Sequence, residues 1–384
     1  MKNNIEEKIN NLHEVLNHIK NTFIGKDHII DLLGICLVAQ ENLFLYGPPG
    51  TAKSAIVKEL SKTLKGKTFE YLLTKFTEPN ELYGPFDIRK LKEGDLITNT
   101  EGMLPEATLI FLDELFNANS AILNSLLMVL NEKVFKRGKE TKKIPALISV
   151  GASNNLPEDE ALQALFDRFL IRVKCDNVAP DLLANVLNAG WKLQQKVVKE
   201  IPTIEVSTIL DLQQEMLSVD LSPITNQYIE MVSRLRNAGI SVSDRRAVKL
   251  QRLVAASALL CKRDKAILSD LWIFKYTWEN NEQREVLNNI VESIIKEDTE
   301  ENQHPRALEN NIPDPEEIYK DATELLNKWK SNNITSADRA TIKDKLRNLT
   351  GRCDWISNTE KREFVLTPIN ELWELILNKK EITS

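Results

Sequence analysis

The feature that most constrains this chain is a loop of glycine and proline between a strand-like run and a helical run. The loop reads Gly47-Pro48-Pro49-Gly50-Thr51-Ala52-Lys53-Ser54, with the apolar run 42–46 before it and the helical pattern 53–64 after it. This arrangement aims backbone N–H groups and the positive end of a helix dipole at one point. We therefore predict a phosphate-binding loop, in which Lys53 contacts the β- and γ-phosphates and the Ser54 hydroxyl binds Mg²⁺.

One position departs from the strict form of such a loop. Ala52 stands where the common pattern has a glycine, immediately before the lysine. Alanine is the smallest substitute for glycine, but its Cβ disfavours a positive φ. The sequence therefore predicts a closed loop on the condition that Ala52 keeps a negative φ.

A second motif lies about sixty residues further along the chain. The apolar run 109–112 is followed directly by Asp113 and Glu114. A strand buried on both faces of a parallel sheet reads as a continuous apolar run, and its carboxyl end lies beside a phosphate loop of the same sheet. We expect Asp113 to hold Mg²⁺ through water, and Glu114 to orient and deprotonate the water that attacks ATP.

The pattern around these motifs predicts the fold class. Short apolar runs alternate with helical patterns up to about residue 175, and the pattern is helical beyond residue 180. Such alternation is typical of a parallel sheet with right-handed crossovers, flanked by helices. The predicted strands are 42–46, 68–72, 109–112, 146–151 and 169–174, and the helices between them include 53–64, 119–130 and 160–167.

Composition excludes several classes of protein. Fifty Lys and Arg against 56 Asp and Glu give a net charge of −6, which argues against a dedicated nucleic-acid binder. The four cysteines form no CxxC pair and the four histidines no HExxH, so a zinc site and a disulfide framework are not expected. Because no secretory leader is evident and no apolar stretch has the length of a membrane span, we expect a cytoplasmic protein.

With these motifs the sequence resembles the AAA+ ATPases, within them the MoxR family, and most closely its RavA-like branch. The resemblance covers roughly residues 20–262 and includes an alanine before the lysine of the phosphate loop, which the family commonly has. It rests on the phosphate loop, on LIFLDE at 109–114, on GASNNLP at 151–157, on LFDRF at 165–169 and on SDRR at 243–246. It implies an α/β P-loop NTPase core with a five-stranded parallel sheet, followed by an all-α lid.

The resemblance also assigns roles to polar residues of the later motifs. Asn154 would be sensor 1, which polarises the lytic water together with Glu114, although the adjacent Asn155 remains an alternative. Arg168 would be the arginine finger that reaches the γ-phosphate bound by a neighbouring subunit. The plainer interpretation of Arg168 is a surface arginine that pairs with Asp167.

Two cations stand at the start of a predicted helix. Ser243 and Asp244 are good helix-start residues, but Arg245 and Arg246 follow them in the positive first turn, which is unfavourable unless an anion lies nearby. A nucleotide phosphate would be such an anion, and Arg245 resembles sensor 2 of the family. We interpret Arg246 as a solvated or interface residue.

Three further segments resemble parts of the family. Phe23-Ile24-Gly25 lies where the family packs adenine, and a hydrophobic staple on the next helix explains the same residues equally well. Residues 87–104 and 131–147 are predicted to form β-hairpins, which line the central channel in related rings.

We expect four regions: the nucleotide-binding core with an N-terminal helix, the lid, a polar linker and a helical C-terminal module. Their predicted bounds are 1–178, 179–298, 299–311 and 312–384.

The implied function is Mg²⁺-dependent hydrolysis of ATP to ADP in an oligomeric ring, expected to be a hexamer. The ring would act in a chaperone-like way to remodel or activate a protein partner, and the family implies a partner with a von Willebrand A (vWA) domain. The alternative is a ring-forming motor stimulated by nucleic acid, because segment 131–147 carries six Lys and Arg against two Glu. A solvated hairpin face explains these charges more simply, so nucleic acid is the less favoured partner.

Overall fold

Five strands form the central sheet of this computed structural model, in the order β3-β4-β7-β1-β8, and all neighbours are parallel. Each of the five predicted strands is present, with ends shifted by at most two residues. In chain order the strands are β1 (Leu43–Tyr46), β2 (Leu64–Lys65), β3 (Thr68–Leu72), β4 (Leu109–Asp113), β5 (Val134–Arg137), β6 (Glu140–Lys143), β7 (Ile148–Ser153), β8 (Ile171–Lys174) and β9 (Ile204–Glu205).

Helices flank the sheet and predominate in the described residues that follow it. In the core they are α1 (Lys2–Thr22), α2 (Asp27–Ala39), α3 (Lys53–Thr63), α4 (Pro79–Tyr83), α5 (Ile88–Lys92), α6 (Ser120–Glu132) and α7 (Glu160–Phe166). Beyond the sheet they are α8 (Leu183–Gln194), α9 (Val206–Met216), α10 (Thr225–Asn237), α11 (Asp244–Leu260), α12 (Gln283–Ile295), α13 (Pro315–Lys330), α14 (Ser336–Cys353) and α15 (Thr359–Asn378). The described residues are 2–93, 96–137, 140–157, 159–178, 180–195, 200–298, 303–307, 315–330, 336–353, 356 and 359–378.

One hydrophobic core joins the sheet to the lid. Every residue of α2 from Ile29 to Ala39 is buried, and α2 packs against both α11 and α9 of the lid. The prediction of an all-helical lid needs one small correction: β9 pairs with β2 in parallel, through Leu64 with Ile204. Two-residue strands carry too little periodicity to be seen in a sequence.

The C-terminal helices α13, α14 and α15 pack on one another around their own buried cluster. The predicted helix start at 314–315 agrees with α13, although Asp314 itself lies outside the described residues. The predicted start at Thr367-Pro368 is wrong, because α15 begins at Thr359 and Pro368 lies inside it. The pattern Val365, Ile369 and Leu372, which is fully buried, continues through the proline and explains why the helix does not begin there.

The predicted hairpin at 87–104 is also partly wrong. An antiparallel bridge is present, but it joins Phe86, just before the predicted hairpin, to Thr98, six residues before its predicted end. Between them lies the helix α5, which Asp87 caps by accepting a hydrogen bond of 2.8 Å from the backbone N–H of Arg89. A capping aspartate followed by arginine, lysine and leucine favours a helix over a strand.

The second predicted hairpin is present as β5 and β6, and it is joined to the first insertion. Arg137 donates to the Gly84 carbonyl at 2.8 Å and lies 4.0 Å above the Phe86 ring. Glu140 accepts from the backbone N–H of Thr98 at 2.9 Å. The two insertions therefore form one connected unit on the core.

The predicted linker 299–311 falls largely outside the described residues, except for 303–307. This part is not a solvated connection, since His304 and Ala307 are fully buried. His304 stacks on Trp272 of the lid, with ring centroids 4.8 Å apart.

Among the described helices, none combines the length and apolar character of a membrane span.

Candidate nucleotide site

The predicted phosphate loop leaves the sheet at the carboxyl end of β1. Gly47 has a φ of 151°, and a Cβ on it would lie 2.2 Å from the Cys175 carbonyl oxygen, so a side chain there is excluded. Gly50 also has a positive φ of 85°. These two glycines let the loop turn back over the sheet toward the N-terminus of α3.

Lys53 lies inside this loop and is only 6% exposed. Its ammonium group donates to the carbonyls of Gly47 at 2.6 Å and Pro48 at 3.0 Å, and to Asn154 Oδ1 at 2.9 Å. One cation is therefore held where the loop, the end of β7 and the first turn of α3 meet. A phosphate anion bound to this loop would meet that cation and the helix N-terminus together.

Ala52 does not satisfy the condition that the sequence sets. It adopts the left-handed region with φ of 69° and ψ of 16°, so the loop closes with its alanine in the conformation that glycine prefers. A left-handed residue with a Cβ costs roughly 1–2 kcal/mol. The loop therefore carries backbone strain at the residue before Lys53.

Replacing Ala52 with glycine is expected to raise the free energy of unfolding by about 0.5–1 kcal/mol, because the lost strain exceeds the added freedom of the unfolded chain. Ala55→Gly is the matched control: Ala55 is exposed inside α3, and the change should lower stability by about 1 kcal/mol. Denaturant unfolding of both variants measures the difference. Equal losses at the two positions would contradict the left-handed conformation of Ala52.

Asp113 and Ser54 form the oxygen-rich part of the site. The Ser54 hydroxyl donates to Asp113 Oδ2 at 2.7 Å, which brings a residue of α3 to the end of β4. Mg²⁺ prefers oxygen ligands, and in nucleotide sites it takes one or two from the protein and the others from phosphates and water. A hydroxyl and a carboxylate at this distance beside the phosphate loop fit such an ion.

Glu114 and Asn154 meet on the same edge of the sheet. Asn154 donates its amide to Glu114 Oε1, while Asn117 donates to Glu114 Oε2 at 3.4 Å. Of the two adjacent asparagines, Asn154 is therefore the one in contact with Glu114 and Lys53, whereas Asn155 donates its backbone N–H to Ser153 Oγ. Asn117 is a site residue that the sequence did not predict, and its only signal there is its position three residues after Glu114.

Glu114 also has an unusual backbone conformation. Its φ is 51° and its ψ is 45°, in the left-handed region, and its N–H donates to Asp113 Oδ1 at 3.0 Å. Such strain is most often found where function requires a particular side-chain direction. The turn directs Glu114 away from the strand axis and toward Asn154.

Arg168 lies at the opposite edge of the sheet from the phosphate loop. It precedes β8, and its carbonyl accepts a hydrogen bond of 2.9 Å from Asn42, which precedes β1. The phosphate loop begins after the other end of β1, and four residues of strand separate the two edges by roughly 13 Å. Arg168 is therefore placed on a different side of the core from Lys53.

Arg245 lies with Arg168 rather than with the phosphate loop of its own chain. Both line a cavity of about 170 Å³, together with Asn131 and Lys249. Arg245 donates to Asn131 Oδ1 at 3.4 Å. The cations predicted separately as finger and sensor 2 are thus gathered at one surface.

The alternative role of Arg168 as the partner of Asp167 is not what the structure describes. Asp167 pairs with Arg172 at 3.3 Å, and the Nε of Arg168 is buried with no hydrogen-bond partner among the described residues. The interpretation of Arg246 as solvated is wrong. Its side chain is 12% exposed and pairs with Glu279 at 2.8 Å, which helps to hold the N-terminus of α11.

Phe23, Ile24 and Gly25 form the turn between α1 and α2. Gly25 has a φ of 74°, and a Cβ on it would contact Val178 and Leu182 at 3.1–3.2 Å. Phe23 is half-buried against the core. The turn therefore lies between the core and the start of the lid, where both the adenine role and the staple role remain compatible with its position.

Two family models match this chain. A model described as the MoxR domain in the MoxR-vWA-beta-propeller ternary systems matches residues 10–214, and a model of an AAA lid domain matches residues 207–291. The chain belongs to the MoxR family of AAA+ ATPases. The MoxR model includes the phosphate loop, Glu114, Asn154 and Arg168, and the lid model includes Arg245.

Individual proteins of similar sequence or structure match most of this MoxR-family chain. The uncharacterized protein MJ0812 of Methanocaldococcus jannaschii is 32% identical over 310 residues, 74% of this chain and 82% of that protein. The uncharacterized protein MJ0079 of the same organism is 30% identical over 305 residues, 77% of this chain and 78% of that protein. A crystal structure of a Cytophaga hutchinsonii protein, 21% identical, gives a TM-score of 0.61 and covers 77% of this chain and 97% of that one, which shows a common fold.

Proposed function

We propose that this protein hydrolyses ATP in a closed ring, expected to be a hexamer, with each nucleotide bound between two subunits. The observation that carries the proposal is the position of Arg168. It lies at the amino edge of the sheet, with Arg245 in the same cavity, while the phosphate loop lies at the carboxyl edge. Two guanidinium groups on a surface away from their own loop are suited to the phosphates bound by a neighbouring copy.

Within one subunit, the residues at the carboxyl edge of the sheet have different roles in ATP binding and hydrolysis. Lys53 and the loop amides bind the β- and γ-phosphates, and Ser54 and Asp113 would hold Mg²⁺. When bound, the ion neutralises charge on the phosphate oxygens. Glu114 accepts the proton of the attacking water, and Asn154, which is in contact with both Glu114 and Lys53, orients that water.

The shared site makes activity depend on assembly. Specific ATPase activity should rise with protein concentration at saturating Mg²⁺ and ATP, because a monomer lacks the arginines of its neighbour, and light scattering on the same samples should report the ring. A monomer whose specific activity is constant on dilution would contradict the proposal.

We extend the proposal to a protein partner with a vWA domain, on which the ring acts in a chaperone-like way. Support comes from the matched family model, whose description names MoxR-vWA-beta-propeller systems. That description applies to the family as a whole. Membership of the RavA-like branch stays a prediction made from the sequence. We also propose, from the sequence, that the protein is cytoplasmic.

The structure gives less support to the nucleic-acid alternative than the sequence does. Of the six cations in the second hairpin, three are engaged within the chain and Lys139 lies outside the described residues. Lys133 is half-buried and donates to the Ala146 carbonyl at 2.9 Å, and burial lowers the pKa of Lys133 to about 8. Arg137 is held by the first insertion, and Lys142 donates to Thr100 at 3.1 Å. A ring of these hairpins would present fewer free cations than the sequence suggests.

A further inference from the structure

Two adjacent polar residues, Glu41 and Asn42, are buried at the amino edge of the sheet, between the end of α2 and the start of β1. Each is 3% exposed. The preceding residue, Gln40, ends α2 in the left-handed conformation, and the backbone N–H of Glu41 donates to the Cys36 carbonyl at 3.0 Å. This helix end fixes the backbone from which both side chains extend.

The Asn42 amide contacts the core side of the cavity that Arg168 and Arg245 share. It donates to the Arg168 carbonyl at 2.9 Å and to the Leu130 carbonyl at 3.2 Å. The residue after Leu130 is Asn131, which lines the same cavity. A buried amide that donates to both carbonyls holds these two parts of the core at a fixed separation.

The Glu41 carboxylate contacts the lid side of that cavity. Its Oε2 accepts from Lys249 Nζ at 3.1 Å, and its Oε1 lies 3.7 Å from Arg252 Nη1. Arg245, Lys249 and Arg252 are spaced i, i+4 and i+7 along α11, so they share one face of that helix. Two ion pairs with Glu41 therefore fix the rotation of α11 that brings Arg245 to the cavity.

Glu41 also offsets the positive charge that gathers at this edge. Burial lowers the pKa of Lys133, and Glu41 raises it. Arg252 and Lys249 lower the pKa of Lys133 further, because like charges lie close together. A neutral residue at position 41 would leave these cations to repel one another and would release the face of α11 that carries Arg245.

We propose that Glu41 and Asn42 are positioning residues for the shared nucleotide site: they hold Arg245 of the lid and Arg168 of the core in the arrangement that a neighbour's phosphates require. The inference rests on the proposed function and adds to it two residues that contact neither the nucleotide nor the reacting atoms. Because the phosphate loop follows the other end of β1, their effect is confined to the arginines. The loss of Glu41 therefore impairs hydrolysis on the neighbour and spares nucleotide binding by the same chain.

Glu41→Gln keeps the size of the side chain and removes its charge. It is expected to lower kcat by about 10–10²-fold, the cost of misplacing a group without removing it. KM for ATP and the affinity for ADP with Mg²⁺ should stay nearly unchanged. Glu292→Gln is the matched control, because it removes a carboxylate that pairs with the buried Lys275 elsewhere in the lid, at 3.0 Å, and it should keep full turnover.

A double-mutant cycle separates positioning from a general structural role. In an Arg245→Ala protein the group that Glu41 positions is already absent, so adding Glu41→Gln should lower kcat by less than about twofold. Equal fold losses from Glu41→Gln in the two backgrounds would overturn the inference, as would a similar loss in Glu292→Gln.

Mixing with Lys53→Ala subunits shows on which side of the interface Glu41 acts. These subunits keep Glu41, Arg168 and Arg245, so they can complete the site of a Glu41→Gln neighbour. Activity per Glu41→Gln subunit should therefore rise on mixing. A constant activity per subunit would place the defect in the chain's own nucleotide site and overturn the inference.

The inference and the proposed function fail in different ways. Slow turnover in Arg168→Ala with wild-type turnover in Glu41→Gln would overturn the inference alone, whereas wild-type turnover in Arg168→Ala would overturn the proposed function and the inference with it. If Glu41→Gln does not fold, Arg252→Gln decides in its place, because Arg252 is about one-third exposed and its loss leaves the pair of Glu41 with Lys249. Arg252→Gln should show a smaller loss of kcat at unchanged KM, and full turnover there would overturn the inference.

Discussion

Replacing Arg168 with alanine is expected to slow ATP turnover by about 10³–10⁵-fold, the contribution of an arginine finger in related phosphoryl transfer. ATP affinity should be nearly unchanged, because binding depends on Lys53 and the loop at the opposite edge of the sheet. Steady-state turnover and nucleotide binding measure the two effects separately. Arg234→Ala, at a half-exposed lid arginine that pairs with Glu230, is the control and should keep full turnover.

Mixing two inactive proteins tests whether Arg168 acts on a neighbour. Lys53→Ala subunits cannot bind nucleotide but retain Arg168, whereas Arg168→Ala subunits bind nucleotide without a finger. Where the two meet in one ring, an interface regains both parts, and partial ATPase activity should return. Wild-type turnover in Arg168→Ala alone would refute the shared site, and Arg168 would then be a structural residue of the cavity that it shares with Arg245.

The second large effect is expected at Glu114. Glu114→Gln should lower kcat by about 10²–10⁴-fold, because the attacking water loses its general base. Glutamine keeps the size and the accepting oxygen that Asn154 contacts, so ATP should still bind. Single-turnover hydrolysis and nucleotide binding separate these outcomes, with Glu101→Gln, an exposed carboxylate, as the control. Normal turnover in Glu114→Gln would exclude Glu114 as the base.

A Glu114→Gln protein held with ATP also tests the proposed partner. A ring that binds ATP without hydrolysing it should retain a purified vWA-domain protein that the unaltered ring releases after turnover. Retention that does not depend on ATP, or no retention in either state, would count against a partner handled through hydrolysis.

The core of the fold could be predicted because its signals are local. The apolar run 109–112 predicts a strand buried on both faces, and the glycines of the phosphate loop predict a turn into a helix; both are present. The insertion at 87–104 could not be predicted as well. Its alternating pattern around Glu93-Gly94 predicts a hairpin, whereas Asp87 caps a helix there and the antiparallel bridge joins Phe86 to Thr98.

The residues of the site could be named from the sequence, but not which of them meet. Asn154 and Asn155 are adjacent residues of the same type, so the sequence does not distinguish their roles. Only the conformation of the chain at the end of β7 places Asn154, and not Asn155, against Glu114. Arg245 was expected beside a phosphate, whereas its position next to Arg168 depends on how the lid packs on the core. Long-range packing of this kind has no counterpart in local sequence pattern.

The left-handed conformations of Ala52 and Glu114 have a consequence for how the chain can change over time. Both residues begin the turns that hold the reacting groups, and both are strained where glycine would be relaxed. Glycine at Ala52 is compatible with the loop, but glycine at Glu114 would remove the carboxylate. Selection for a more stable protein would therefore favour replacement of Glu114, although hydrolysis requires its carboxylate. Only continued selection for activity would keep Glu114 at this turn.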